Sequence, residues 1–151
     1  RLLTDEDNKR HDIELNGISD QPKAAIAKSV VKNLDKYLVV EKWFDDRIQD
    51  PYQWGFIDGE INFAESPDKA VVRIINENTG LSVQIDKVLY TWSFIAGDVF
   101  TIGISYLCLT GMEEVVLSED LHKYEWIERE QFEYYIDNKA LLEDINKSGL
   151  L

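Results

Sequence analysis

The sequence predicts an α+β, or mixed α/β, domain in which a mixed β-sheet is sandwiched between helices. Two observations carry this. β-rich runs stand both before and after one well-punctuated helix, which favours a sheet covered by helices over a bundle or an all-β barrel. The 151 residues contain no repeat, low-complexity tract or interdomain linker, a length that suits one domain with a proper core.

Taken in order, residues 1–20 are polar and lack sustained periodicity, so they are expected to be a loose lead-in to a single domain over 21–151. "AAIAKSVV" and "KYLVVEKW" read as two strands joined by the turn "KNLDK". "DDRIQDPYQW" is polar with a proline and reads as a surface loop, and "FIDGEINF" as a short strand with a glycine-marked turn. A helix follows from about Ser66 to Thr79. Ser66-Pro67-Asp68 supplies an N-cap, a proline at the first helical position and an early acid. Ala70, Val71, Ile74 and Ile75 recur at helical spacing, and Gly80 closes the helix. "LSVQIDKVLYTWSFI" and "DVFTIGISYLCLT" predict two antiparallel strands joined through Ala96-Gly97-Asp98. "IEREQFEYYIDN" and "ALLEDINK" read as terminal helical pieces.

Charge narrows the function classes. The formal net charge is −13, so non-specific binding to nucleic-acid backbones, which needs a basic face, is not expected. The field is strongest at residues 113–151, with eleven acids against four bases, so an anionic ligand needs a metal or a local basic pocket. No apolar run approaches the roughly 18 residues of a membrane span, and "RLLTDEDNKR" lacks the apolar region of a signal peptide. The sequence begins at Arg rather than Met, so its true start is not visible. The single Cys108 excludes an internal disulfide, fits a reducing cytoplasm, and is expected to be a buried, unreactive core residue.

The chemistry-bearing segment is "GEINFAESPDKAVVRIINENTGL". Gly59, Glu65, Arg73, Ile75, Glu77, Gly80 and Leu81 stand at the spacing G-x5-E-x7-R-E-U-x-E-E-x-G-U, where U is a bulky aliphatic. This resembles the Nudix box. The flank "WGFIDGEINFAES" is similar to that family's habitual approach to the box, and "VVLSEDLHKYEWIEREQF" to its closing stretch, so the resemblance runs from about residue 24 to 137. It implies the Nudix fold, a diphosphate-type substrate and Mg or Mn as cofactor. In the family three box acids at i, i+3 and i+4 share a helix face and hold the metal that grips a diphosphate and activates water.

Here those positions are 74, 77 and 78, and only Glu77 is an acid. Ile74 offers no ligand atom, and Asn78 offers one neutral oxygen where magnesium prefers charged ones, so metal binding is expected to be weak. In the flank, Ile57-Asp58 stands for the usual Pro-Gly and Ala64 for a glycine. By the resemblance Glu77 is the catalytic and metal-ligand candidate, with Asn78 and Asp120 as further metal ligands. Gly59, Lys42, Arg73 and Glu65 are the ligand-binding candidates. Each has a plainer reading. Arg73 and Glu65 tie the box together, Lys42 is a solvated strand end, and Glu119-Asp120 form an acidic loop. Asp58 and Glu60 are replacement carboxylates or a surface turn. Trp43, Phe44, Trp92 and Tyr106 stack on a base or fill the core. His11, His122 and Cys108 are too few for a zinc site.

The expected function is a Nudix-fold domain that binds a nucleoside-diphosphate-type ligand or a partner, with weak or absent hydrolysis. The alternative is an active, divergent, metal-dependent pyrophosphohydrolase that cleaves a nucleoside diphosphate linked to another moiety. A third reading is an interaction domain in which Ile74 widens an apolar helix face that docks a protein partner or a second copy.

Overall fold

The computed structural model describes residues 23–43 and 52–150. The lead-in expected over residues 1–20, most of the loop read in "DDRIQDPYQW", His11 and Phe44 lie outside the described residues. Strands β1 (Lys23–Asn33) and β2 (Lys36–Lys42) form an antiparallel hairpin whose turn is Leu34-Asp35. β3 (Trp54–Gly55) and β4 (Ile57–Glu60) follow, then helix α1 (Pro67–Thr79). β5 (Gln84–Ala96) and β6 (Val99–Leu109) make the second hairpin, turning at Gly97 with φ 64°. β7 (Leu121–Ile127) leads into a 3-10 turn (Arg129–Gln131) and the short helices α2 (Phe132–Tyr135) and α3 (Lys139–Lys147).

The strands join in one mixed sheet of order β3-β2-β1-β6-β5, with β4 added to β1 and β7 to β2. β1 and β6 are parallel from Lys23↔Phe100 to Lys32↔Leu109; the other pairings are antiparallel. Opposite β6, β1 pairs with β4 over Ile26–Ser29 and with β2 over Val31–Asn33, so β2 and β4 fork apart along it.

Both faces of the central strands are apolar, as "YLVV" requires of a strand covered on two sides. Ala27, Val31, Leu38 and Val40 pack under α1 with Ala70, Val71, Ile74 and Ile75. Val30, Tyr37 and Val39 pack on the opposite face with Phe132, Ile136, Leu141 and Ile145. Cys108 is buried in the α1-side core, and burial pushes its thiol pKa up, as its apolar run predicts. Among the described residues no helix is long and apolar enough to cross a membrane.

Three local expectations change. The strand read in "FIDGEINF" ends at Glu60, because Asn62 turns back to take a hydrogen bond from the Glu65 backbone N–H (3.0 Å). The helical piece "IEREQFEYYIDN" breaks into a 3-10 turn and a single helical turn that stops at Ile136. "LHKYEWI", not read as a strand, forms β7 because its backbone pairs with β2 from Tyr37↔Ile127 onward; its interleaved charges hide any apolar alternation.

Candidate functional site

Helix α1 is placed by its ends. Ser66 Oγ accepts the Lys69 N–H (3.3 Å), Pro67 opens the first turn, and Gly80 at φ 72° donates its N–H to the Asn76 carbonyl (2.8 Å). Tyr106, buried on β6, donates its hydroxyl to Asp68 Oδ1 in the first turn (2.8 Å). Tyr106 is thus a core residue that pins the helix, and burial followed by Asp68 drives its pKa upward.

Arg73 organises the box. Its Nε and Nη2 donate to the two carboxylate oxygens of Glu65 (2.8 and 2.9 Å), Nη1 donates to Glu77 (3.1 Å), and Nη2 also reaches the Glu60 carbonyl (2.9 Å). Glu65 Oε1 additionally accepts the Asn62 N–H (3.1 Å), closing the loop between β4 and α1. The Arg73 hydrogen bond is the main cause that holds the Glu65 carboxyl below its usual pKa, and the same bond raises the arginine. A bidentate guanidinium–carboxylate pair of this kind fixes geometry as well as charge.

On the same helix, Ile74 is buried against β4. A Cβ on Gly59 would lie 3.0 to 3.1 Å from three atoms of its side chain, so the glycine is what lets the helix seat this isoleucine. Asn78 has both ends of its amide occupied. Nδ2 donates to the Ile74 carbonyl (2.9 Å), and Oδ1 accepts from Ser118 Oγ (2.8 Å), while its carbonyl takes the Ser118 N–H (3.0 Å).

A cleft of about 730 Å³ runs past these residues and gathers Lys42, Asp58, Gly59, Glu60, Arg73, Ile74, Glu77, Asn78 and Asp120. Glu65 lies behind Arg73 rather than on the cleft wall, and Glu119 is exposed outside it. Lys42 bridges the fork to Asp58 (2.8 Å), both side chains being largely shielded. A second cavity of about 360 Å³ shares Lys42 and Asp58 and continues to the other face of the sheet, between Trp54, Tyr90, Trp92 and Phe94 and the helix α3 residues Leu141 and Asp144. Its floor is Trp92, whose indole lies over Gly103 where a Cβ would come within 2.2 Å, with Lys28 Nζ 5.0 Å from the ring centre. The Tyr90 hydroxyl is buried beside that of its cross-strand neighbour Ser105, and among the described residues neither has a hydrogen-bond partner of good geometry. Burial raises the Tyr90 pKa, and nearby Ser105 only partly offsets it. Of this cavity's lining the sequence reading named Lys42, Asp58 and Trp92 and missed the rest, which are scattered from 28 to 144.

The family's cofactor class can be tested against these donors. Among the described residues no three His, Cys, Asp or Glu side chains stand close enough together to hold a metal ion. Glu77 is bound to Arg73, Asp58 to Lys42, and the Asn78 oxygen to Ser118. As arranged, this donor set does not fit a divalent-metal cage.

The family model of the NUDIX domain matches residues 22–145. The chain belongs to the Nudix family. Among its Nudix relatives, the nucleoside triphosphatase NudI proteins of Escherichia coli (strain 55989 / EAEC) and Shigella flexneri are each 25% identical over 133 residues, covering 81% of this chain and 94% of theirs. The Nudix fold is shared with the MutT protein from Methanosarcina mazei Go1, at TM-score 0.72 and 17% identity over 85% of this chain and 94% of that one. It is shared equally with the Nudix domain of Shewanella oneidensis NrtR complexed with ADP ribose, at TM-score 0.70 and 15% identity over 96% and 98%.

Proposed function

We propose that this chain is a Nudix domain that binds a nucleoside-diphosphate-type ligand across its two joined cavities and hydrolyses it slowly or not at all. The observation that carries this reading is Ile74. An apolar side chain packed on Gly59 occupies the helix position where the box calls for a carboxylate, and the remaining acid, Glu77, is engaged by Arg73. The ligand class is supported by the aromatic cavity beside Lys42 and by what the similar proteins are said to bind or cleave: nucleoside triphosphates for NudI and ADP ribose for NrtR. A cavity of about 360 Å³ falls within the usual range for small-molecule sites. A cytoplasmic location is consistent with the single free cysteine.

The chain's own residues supply binding and orientation. Trp92 offers a ring face, Lys42 stands at the junction of the cavities, and Arg73 holds the loop between β4 and α1 in register with the helix. The test is a panel of nucleoside-diphosphate compounds with magnesium or manganese, followed by phosphate release, with calorimetric binding measured in parallel. Micromolar to millimolar binding with little turnover is the expected result. Brisk metal-dependent turnover selects the second reading, an active divergent pyrophosphohydrolase. That reading draws on Asp58, Glu60, Glu77 and Asp120 lining one cleft and on the triphosphatase relatives.

A further inference from the structure

β5 is the last strand of the sheet. Among the described residues it pairs with β6 alone, so one of its backbone edges is open. Natural proteins blunt such edges with charges, proline or bulges, because an open edge pairs with other chains. In β5 those devices stop early. Asp86, Lys87 and both register shifts fall before Tyr90, whereas the pairing is regular from Tyr90↔Ser105 to Ala96↔Val99. That stretch, "YTWSFIA", holds no charge, proline or glycine and is rich in strand-forming residues. The α1-side face beside it is apolar and uncovered. Tyr106 and Cys108 pack under α1, but further along β6 Ile102 and Phe100 are 51% and 38% exposed, and Ile95, opposite Phe100, is 71% exposed.

We propose that the Tyr90–Ala96 edge pairs with the same edge of a second copy of this chain, the two β5 strands running antiparallel about a dyad at Ser93. The inference stands apart from the ligand class proposed above. A two-fold axis normal to the sheet keeps every residue on its own face, so the two sheets join into one without turning either over. With the axis at Ser93, that serine faces its own copy, Trp92 faces the partner's Phe94, and Thr91 faces the partner's Ile95. The residue on the axis is small and neutral, no like charges meet along the paired stretch, and each aromatic and β-branched pair forms twice. Just beyond the stretch, Lys87 of each copy comes beside the partner's Asp98, opposite in charge. A foreign strand would find the same open backbone but not these reciprocal contacts, which need this sequence running the other way. Trp92 and Phe94 also line the aromatic cavity, so the partner's Phe94 continues that cavity's wall.

The test is sedimentation velocity on the full chain from about 1 to 100 μM. The native protein should pass from monomer to dimer over that range. Ser93→Lys sets two ammonium groups against each other on the axis and should weaken the dimer about tenfold or more, whereas the neutral Ser93→Thr should keep it. Ser93 is exposed, so both variants should melt near the native temperature. Cysteine crosslinking reads the register independently. Under mild oxidation Ser93→Cys should give a covalent dimer, and Thr91→Cys, whose two copies lie about 13 Å apart in this pairing, should not. A monomer throughout the range, or a dimer that Ser93→Lys leaves intact, would overturn the proposal. Crosslinking by Thr91→Cys but not by Ser93→Cys would overturn the dyad and the pairing built on it.

Discussion

Ile74 fills the space that the missing side chain of Gly59 leaves open: a Cβ there would meet its Cγ1 at 3.0 Å and both of its methyl carbons at 3.1 Å. Helix α1 and strand β4 are thus fitted to each other through a glycine and a β-branched residue 15 positions apart, at the point where the family's metal chemistry is otherwise built.

This fit predicts that Gly59→Ala destabilises the protein by about 1–3 kcal/mol, the usual cost of overpacking. Urea midpoints measure it. Adding Ile74→Ala should recover part of that loss, giving a coupling of roughly 0.5–3 kcal/mol in the double-mutant cycle. Additive losses would show that the two residues do not meet.

Restoring the box tests the degraded metal site. Ile74→Glu with Asn78→Glu places acids at i, i+3 and i+4 around Glu77 and should tighten magnesium binding in calorimetry. Stability should fall, because a carboxylate replaces a buried side chain and Asn78 loses its bonds to the Ile74 carbonyl and Ser118. Unchanged magnesium affinity in a folded double variant would count against Ile74 and Asn78 as the cause of a weak site.

Glu65 makes stability pH-dependent. Its folded pKa lies below the unfolded value because Arg73 bonds its charged form. The stabilisation is therefore present above the unfolded value, about 4.3, and is lost as pH falls through the lower folded value. The stability gap between native protein and Glu65→Gln should be constant near neutrality and narrow below about pH 4. A gap that stays level down to pH 3 in urea unfolding would contradict this linkage.

Ala64 lies at φ 63° in the loop between β4 and α1, where the family's pattern has glycine. Ala64→Gly should raise stability by about 0.5–1 kcal/mol, since relief of the left-handed strain outweighs the added freedom of the unfolded chain. Thermal unfolding reads this directly, and a lowered midpoint would contradict it.

By itself the sequence determined what depends on near neighbours. Ser66, Pro67 and Gly80 delimit α1 within a few residues of the chain, the turn at Gly97 closes the β5–β6 hairpin, and the eight-residue step from Glu65 to Arg73 brings loop and helix together. Only the tertiary structure decided the long-range pairings: β1 beside β6, β7 on β2, Lys42 against Asp58, Ser118 on Asn78, and the aromatic cavity under α3. Propensity and capping act through local dihedrals and one or two helical turns, so they leave a readable pattern in a short window. Strand partners and cavity walls are selected by burying apolar surface between segments tens of residues apart, and a charged strand such as "LHKYEWI" is recruited by the open backbone edge of β2 rather than by any periodicity of its own.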